Sequence, residues 1–110
     1  MQCRVQSADR TFFDGEATMV VARSNRGEFA VMADHAPLLS TLRSGPLRIQ
    51  TSEGERVFAC FGGTLRVSAE ASVSVLVEDA VPLGEINLEA SADDPAERRR
   101  VLQDVKEQYG

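Results

Sequence analysis

The sequence predicts a mostly β domain, a sandwich or a barrel, with one short helix appended at its C-terminal end. Three observations lead there. Apolar residues recur with a period close to two from Gln2 to about Pro82. Gly, Pro, Asn and Asp interrupt that pattern at intervals of about ten residues, as in strands joined by turns. After Pro82-Leu83-Gly84 the spacing of apolar residues becomes helical.

Taken in order, the early candidate strands are residues 4–7, 17–23, 29–32 and 38–42. Leu47 and Ile49 then alternate with Arg48 and Gln50, Leu65 and Val67 with Arg66 and Ser68, and Val73, Val75 and Val77 with Ser72 and Ser74. Each of these three has one inward face. Val57, Ala59 and Phe61 share one face of a strand whose other face carries Phe58 and Cys60. A strand apolar on both sides belongs at the centre of a sheet. Turns are expected at Asp14-Gly15, Asn25-Arg26-Gly27, Ser44-Gly45-Pro46, Glu53-Gly54 and Gly62-Gly63. The carboxylate pairs Glu53/Glu55 and Glu78/Asp79 read as solvated hairpin ends.

Asp93-Asp94-Pro95-Ala96-Glu97 has the chemistry of a helix start, with Asp94 as N-cap, Pro95 in the first helical position and Glu97 completing a capping box. Val101, Leu102, Val105 and Tyr109 fall on one stripe, with Arg98, Arg99, Asp104 and Glu107 opposite and Arg100 one turn from Asp104. A helix over 95–109 is about 22 Å long at 1.5 Å per residue. That is too short to be stable alone, so it needs a surface to pack on.

At 110 residues the chain is the size of one domain, and 43% hydrophobic with 26% charged residues suffices to close a core. Twelve basic residues against seventeen acidic ones give a net charge of -5, which disfavours nucleic acid and anionic membrane surfaces. Cys3 and Cys60 are too few and too far apart for a disulfide scaffold and read as reduced, packed thiols. Residues 1–6 lack the basic segment and apolar run of a signal peptide, so the chain is expected to stay where it is made. No apolar stretch approaches the roughly 20 residues that span a bilayer. Membrane association must therefore go through a partner.

Little in the sequence points to catalysis. His35 is the only histidine, which rules out a two-histidine metal site, and no G-x-S-x-G elbow supplies a nucleophile for it. Gly62-Gly63-Thr64 lacks the lysine of a phosphate-binding loop and reads as a tight turn. Arg98-Arg99-Arg100 lies among acids and reads as a solvated helix face. These residues describe a β domain that acts by binding, with no cofactor, metal or catalytic constellation. A free-standing ligand- or peptide-binding sandwich fits that description, although 5% aromatic residues and no Trp make a poor sugar-stacking platform.

A more specific reading comes from the middle of the chain. Gly27-Glu28-Phe29-Ala30-Val31-Met32-Ala33-Asp34-His35-Ala36-Pro37-Leu38-Leu39 resembles the G-E-x-G-I-x-x-x-H-x-P-L segment of the epsilon subunits of bacterial and chloroplast F-type ATP synthases. Further pieces resemble that family in the same order: Phe13-Asp14-Gly15-Glu16-Ala17 with its first hairpin, then Leu42-Arg43-Ser44-Gly45, Gly62-Gly63-Thr64-Leu65-Arg66-Val67 and Val73-Ser74-Val75-Leu76-Val77-Glu78-Asp79-Ala80. The similarity covers about residues 2 to 92.

The resemblance implies a flattened sandwich of about ten strands over 1–84 and a helical region over 85–110 that is shortened from the family's helical hairpin to one helix. It implies a non-catalytic central-stalk subunit of a proton-translocating ATP synthase, bound to the gamma shaft and the c-ring, within reach of the α/β catalytic head. Such a subunit lies peripherally on the cytoplasmic face of the bacterial inner membrane and couples ring rotation to the shaft. By position, Glu28 and the segment Asp34, His35, Ala36, Pro37 and Leu38 correspond to the part that meets the polar loops of the c-ring. Pro37 fixes one φ there, and a carboxylate and an imidazole suit a wet interface.

Three departures qualify the resemblance. Where some members bind ATP through I/L-D-x-x-R-A, this chain has Ile86-Asn87-Leu88-Glu89-Ala90-Ser91, with Asn87 for the Asp and Ala90 for the Arg, so no ATP binding is expected. The tail to Gly110 holds one short helix and not two, so inhibition of ATP hydrolysis by an extended arm is expected to be weak or absent. Ala30 stands where the family usually has Gly, which bears on the local backbone geometry.

Overall fold

The computed structural model describes all 110 residues and folds them into two five-stranded sheets with a helix on the outside of one. Strands β1 (Gln2–Gln6), β2 (Thr11–Glu16), β5 (Leu38–Thr41), β8 (Thr64–Val67) and β9 (Val73–Leu76) form sheet I in the order β2-β1-β9-β8-β5. Strands β3 (Met19–Ser24), β4 (Gly27–Met32), β6 (Gly45–Thr51), β7 (Gly54–Phe61) and β10 (Asp79–Pro82) form sheet II in the order β10-β7-β6-β3-β4. All pairings are antiparallel except β1 with β9, which run parallel with Cys3 beside Val73 and Val5 beside Val75. The sandwich expected from the alternation is therefore present, with ten strands.

Between the sheets lies a continuous core that includes Cys3, Val5, Val20, Val31, Leu47, Ile49, Phe58, Leu65 and Val75. The alternating strands send their apolar residues inward as expected, while Arg66, Ser72 and Ser74 are exposed. Strand β7 is flanked on both edges, by β10 and β6. Its two apolar faces have separate destinations. Phe58 and Cys60 enter the main core, whereas Val57 and Ala59 join Ile86, Leu102 and Val105 in a second cluster beneath α1 (Ala96–Tyr109).

Gly62-Gly63 is the tight turn expected, and it carries the chain from sheet II to sheet I. Gly63 has φ +124°, and a Cβ there would stand 2.2 Å from the carbonyl oxygen of Leu76. Only glycine fits so close a backbone crossing.

Five expectations need correction. Asp14-Gly15 is not a turn but lies inside β2, with Asp14 opposite Arg4 and Gly15 opposite Cys3. The side chains of Arg4 and Gln2 donate to the Asp14 carboxylate at 2.9 and 2.8 Å, a cross-strand arrangement that needs an extended backbone. The Arg4 hydrogen bond is the main cause that holds the Asp14 carboxyl below its ordinary value. The real β1–β2 turn is closed by the Ser7 N–H on the carbonyl of Arg10, 2.8 Å. Asp79 flanks the short link from β9 to β10, but those strands lie in different sheets, so it opens β10 beside Phe61 rather than ending a hairpin.

At the helix start the expected capping box does not form. Pro95 is the boundary residue and makes no side-chain cap. The Asp94 carboxylate is instead drawn 3.4 Å from Arg98 Nε, and its carbonyl accepts from Arg99 Nε at 2.9 Å. Arg98, assigned by sequence to the solvated face, turns toward the sheet. Its guanidinium meets the Asp79 carboxylate at 3.0 Å and lies 4.4 Å from the centre of the Phe61 ring. The ion pair one turn apart is thus Arg98 with Asp94, not Arg100 with Asp104.

Candidate interaction surface

The free edges of β4 and β5 lie at the same end of the two sheets, β4 closing sheet II and β5 closing sheet I. The five residues that join them, 33–37, form the middle of the family-like segment, whose remainder lies on β4 and the start of β5. Glu28 sits on β4 opposite Arg23 of β3, and its side chain is exposed. Val31, three residues on, is fully buried and anchors β4 to the core.

The turn after β4 is closed by the N–H of His35, which donates to the carbonyl of Met32 at 2.9 Å. His35 Nδ1 lies 2.6 Å from the carbonyl oxygen of Ala36. A carbonyl only accepts, so Nδ1 is the donor in this contact. Pro37 then leads into β5.

Glu28, His35 and Leu38 line one open groove of about 610 Å³, together with Arg26, Phe29 and Leu39. Asp34, Ala36 and Pro37 do not line it; they are exposed on the connecting segment. The fold therefore gathers Glu28 and His35, seven residues apart, and leaves Asp34 facing solvent beside them. Exposed Met32 and Leu39, 52% and 72% accessible, flank the segment.

Neither of those two apolar residues was singled out by sequence reasoning. A signal for Leu39 exists: Leu38 and Leu39 are adjacent, and in a half-buried strand only one of two neighbours points inward. The arrangement offers a carboxylate, an imidazole, an arginine and apolar side chains around a shallow groove. No group of three or more metal-ligating side chains occurs in the chain. Such a surface is suited to a polar protein loop.

The second region of interest is residues 86–91, compared above with a nucleotide motif. Ile86 is buried under α1, and its carbonyl accepts from Lys106 Nζ at 3.2 Å. Asn87 Oδ1 accepts from the N–H groups of Glu89 and Ala90, both at 3.1 Å, while the Ser91 hydroxyl donates to the Asn87 carbonyl at 3.0 Å. Asn87 thus serves as an Asx cap for the turns that follow. Ala90 is exposed and contributes no polar side-chain group.

Residues 1–83 match the family model described as ATP synthase, Delta/Epsilon chain, beta-sandwich domain. The chain belongs to this ATP synthase delta/epsilon family. It is 40% identical over 106 residues to an ATP synthase epsilon chain of Rubrobacter xylanophilus, covering 96% of this chain and 72% of that one. An ATP synthase epsilon chain of Streptomyces griseus is 42% identical over 103 residues, covering 84% and 83%.

Among solved structures, the fold is shared with a chain of the Euglena gracilis mitochondrial ATP synthase (OSCP/F1/c-ring), at a TM-score of 0.73 and 22% identity over 96% of this chain and 76% of that one. A chain of the Tetrahymena thermophila mitochondrial ATP synthase central stalk and c-ring matches at 0.71 and 17% identity, covering 96% and 95%.

As a member of the delta/epsilon family the chain is a subunit of an ATP synthase and not its catalytic part. Ala30 is accommodated without strain: it lies in regular β4 pairing opposite Val21, and the one non-glycine residue at positive φ is Ala71.

Proposed function

We propose that this chain is a central-stalk rotor subunit that couples rotation of a proton-driven c-ring to the gamma shaft, lying peripherally on the cytoplasmic face of the bacterial inner membrane. Family membership carries the rotor role, and the grouping of Glu28 and His35 around one groove carries the assignment of the c-ring surface. The β4–β5 end, with Glu28, Asp34, His35, Ala36, Pro37 and Leu38, meets the polar c-ring loops. No helix of the chain is long and apolar enough to cross a membrane, in keeping with attachment through partners. In this reading the boundary between sandwich and helical region is at 84/85, within the single 3₁₀ turn Leu83–Glu85.

Light scattering on the chain mixed with the gamma subunit of the same genome tests the rotor role. A one-to-one complex is expected, and its absence overturns the assignment. Glu28→Ala and His35→Ala are expected to weaken capture of the complex on c-rings by about five- to tenfold each, the size of a modest interface contact. Unchanged capture by both variants places the c-ring surface elsewhere.

The helical region does not bind ATP in this reading, because the side chain of Asn87 is committed to its own turn and Ala90 has no charge to offer. Titration calorimetry with millimolar ATP is expected to show no binding, and micromolar affinity would overturn that reading. ATP hydrolysis by a reconstituted head should change little when the chain is added.

A further inference from the structure

We propose that α1 is a fixed third layer of the fold, fastened to sheet II by Arg98, and not an arm that leaves the sandwich. This deepens the rotor reading above by stating how its helical region is held.

The helix buries the middle of its stripe: Val101 and Tyr109 are partly covered, whereas Leu102 is 2% accessible and Val105 0%. They pack on Val57, Ala59 and Ile86, with Phe61, Val81, Leu83, Val101 and Tyr109 around the rim. Departure of α1 would uncover both this stripe and the outer face of β7. A helix of 14 residues is marginal in water, and a two-faced apolar strand is not a stable surface. Helix and strand therefore depend on each other.

Polar contacts fasten both ends. Toward the C-terminus Lys106 Nζ donates to the Ile86 carbonyl at 3.2 Å, Arg23 donates to Gln108 Oε1 at 3.4 Å, and the Arg48 guanidinium lies 5.4 Å from the Tyr109 ring centre. At the N-terminal end the polar contact with the sheet is made by Arg98. Its guanidinium joins Asp79 of β10, Phe61 of β7 and Asp94 of the segment before the helix, three separate pieces of chain.

One exposed ion pair contributes little. A planar guanidinium that stacks on a ring while its edge pairs with carboxylates combines two interactions, which lysine cannot reproduce. Asp79 does not exist as a partner unless β10 has formed, so the clamp also ties α1 to completion of sheet II.

Amide hydrogen exchange on the full chain tests both parts. A fixed layer opens with its support, so α1 and β7 are expected to show the same protection. Arg98→Ala is expected to lower that protection by about three- to tenfold in α1 and β7 together, the range for a stacked and paired guanidinium. Arg98→Lys should recover less than half of the loss, and Ala, Lys and Arg are all good helix formers, so propensity does not explain it. In a Phe61→Leu background the Arg98→Ala loss should shrink, as expected for coupled residues.

Exchange of α1 well ahead of β7 in the unaltered chain, or a loss confined to α1, overturns the fixed layer. No effect of Arg98→Ala overturns the clamp. The experiment uses the free chain, so failure to bind gamma would sink the rotor reading without touching this result.

Discussion

Cys3 and Cys60 illustrate how burial disarms a reactive group. Both thiols are free and lie in the main core. Desolvation is the main cause that pushes each of them up to about 12, with Asp14 and Asp79 respectively adding to it. The thiolate is the nucleophile, so at pH 8 almost none is present in the folded chain. Both cysteines are therefore expected to resist a thiol-labelling reagent in the native protein and to react stoichiometrically once it is unfolded in urea. Rapid native labelling of either would contradict this. At the same scale, alternation made Leu65 and Val75 legible as core residues, because a strand's side-chain period is a local property. The capping role given to Asp94 failed for the opposite reason. Its carboxylate was claimed by Arg98, which is itself held by a residue of a distant strand.

The elements differ in how much each needs its neighbours. Strand β7 read as central because it is apolar on both faces, and it proves to lie between two partners. What covers its outer face was not readable locally, since any apolar stripe would serve. The helix needed a surface, and β7 with Ile86 provides it. Leu102→Ala removes a side chain from the middle of that contact. A loss of about 2–5 kcal/mol in urea unfolding is expected, the usual range for a leucine truncated in a filled core. A loss below about 1 kcal/mol would show that α1 contributes little to the fold. Strand β2 was hidden by its own composition: Asp14-Gly15 looks like a turn, and only the pairing with Arg4 and Cys3 keeps it extended.

Over the whole molecule, distant segments must meet before any sheet is complete. Strand β1 reaches its parallel partner β9 across most of the chain, and consecutive strands repeatedly change sheet. Folding dominated by such non-local pairing is slow. Refolding from urea is expected in roughly the millisecond-to-second range for a chain of this topology, and a submillisecond phase that completes the signal would overturn that expectation. The amino-acid sequence by itself determined the β class, the inward residues of the alternating strands, the Gly62-Gly63 turn, the helix stripe and the family-like segment from Gly27 to Leu39. Each of these is written in periods of two to four residues or in the chemistry of adjacent side chains. Only the tertiary structure decided that Arg98 faces Phe61 and Asp79, that α1 lies on sheet II, and that Glu28 and His35 share a groove while Asp34 does not. Those facts depend on which strands become neighbours, and strand order is set by the summed packing of the whole core rather than by any one segment.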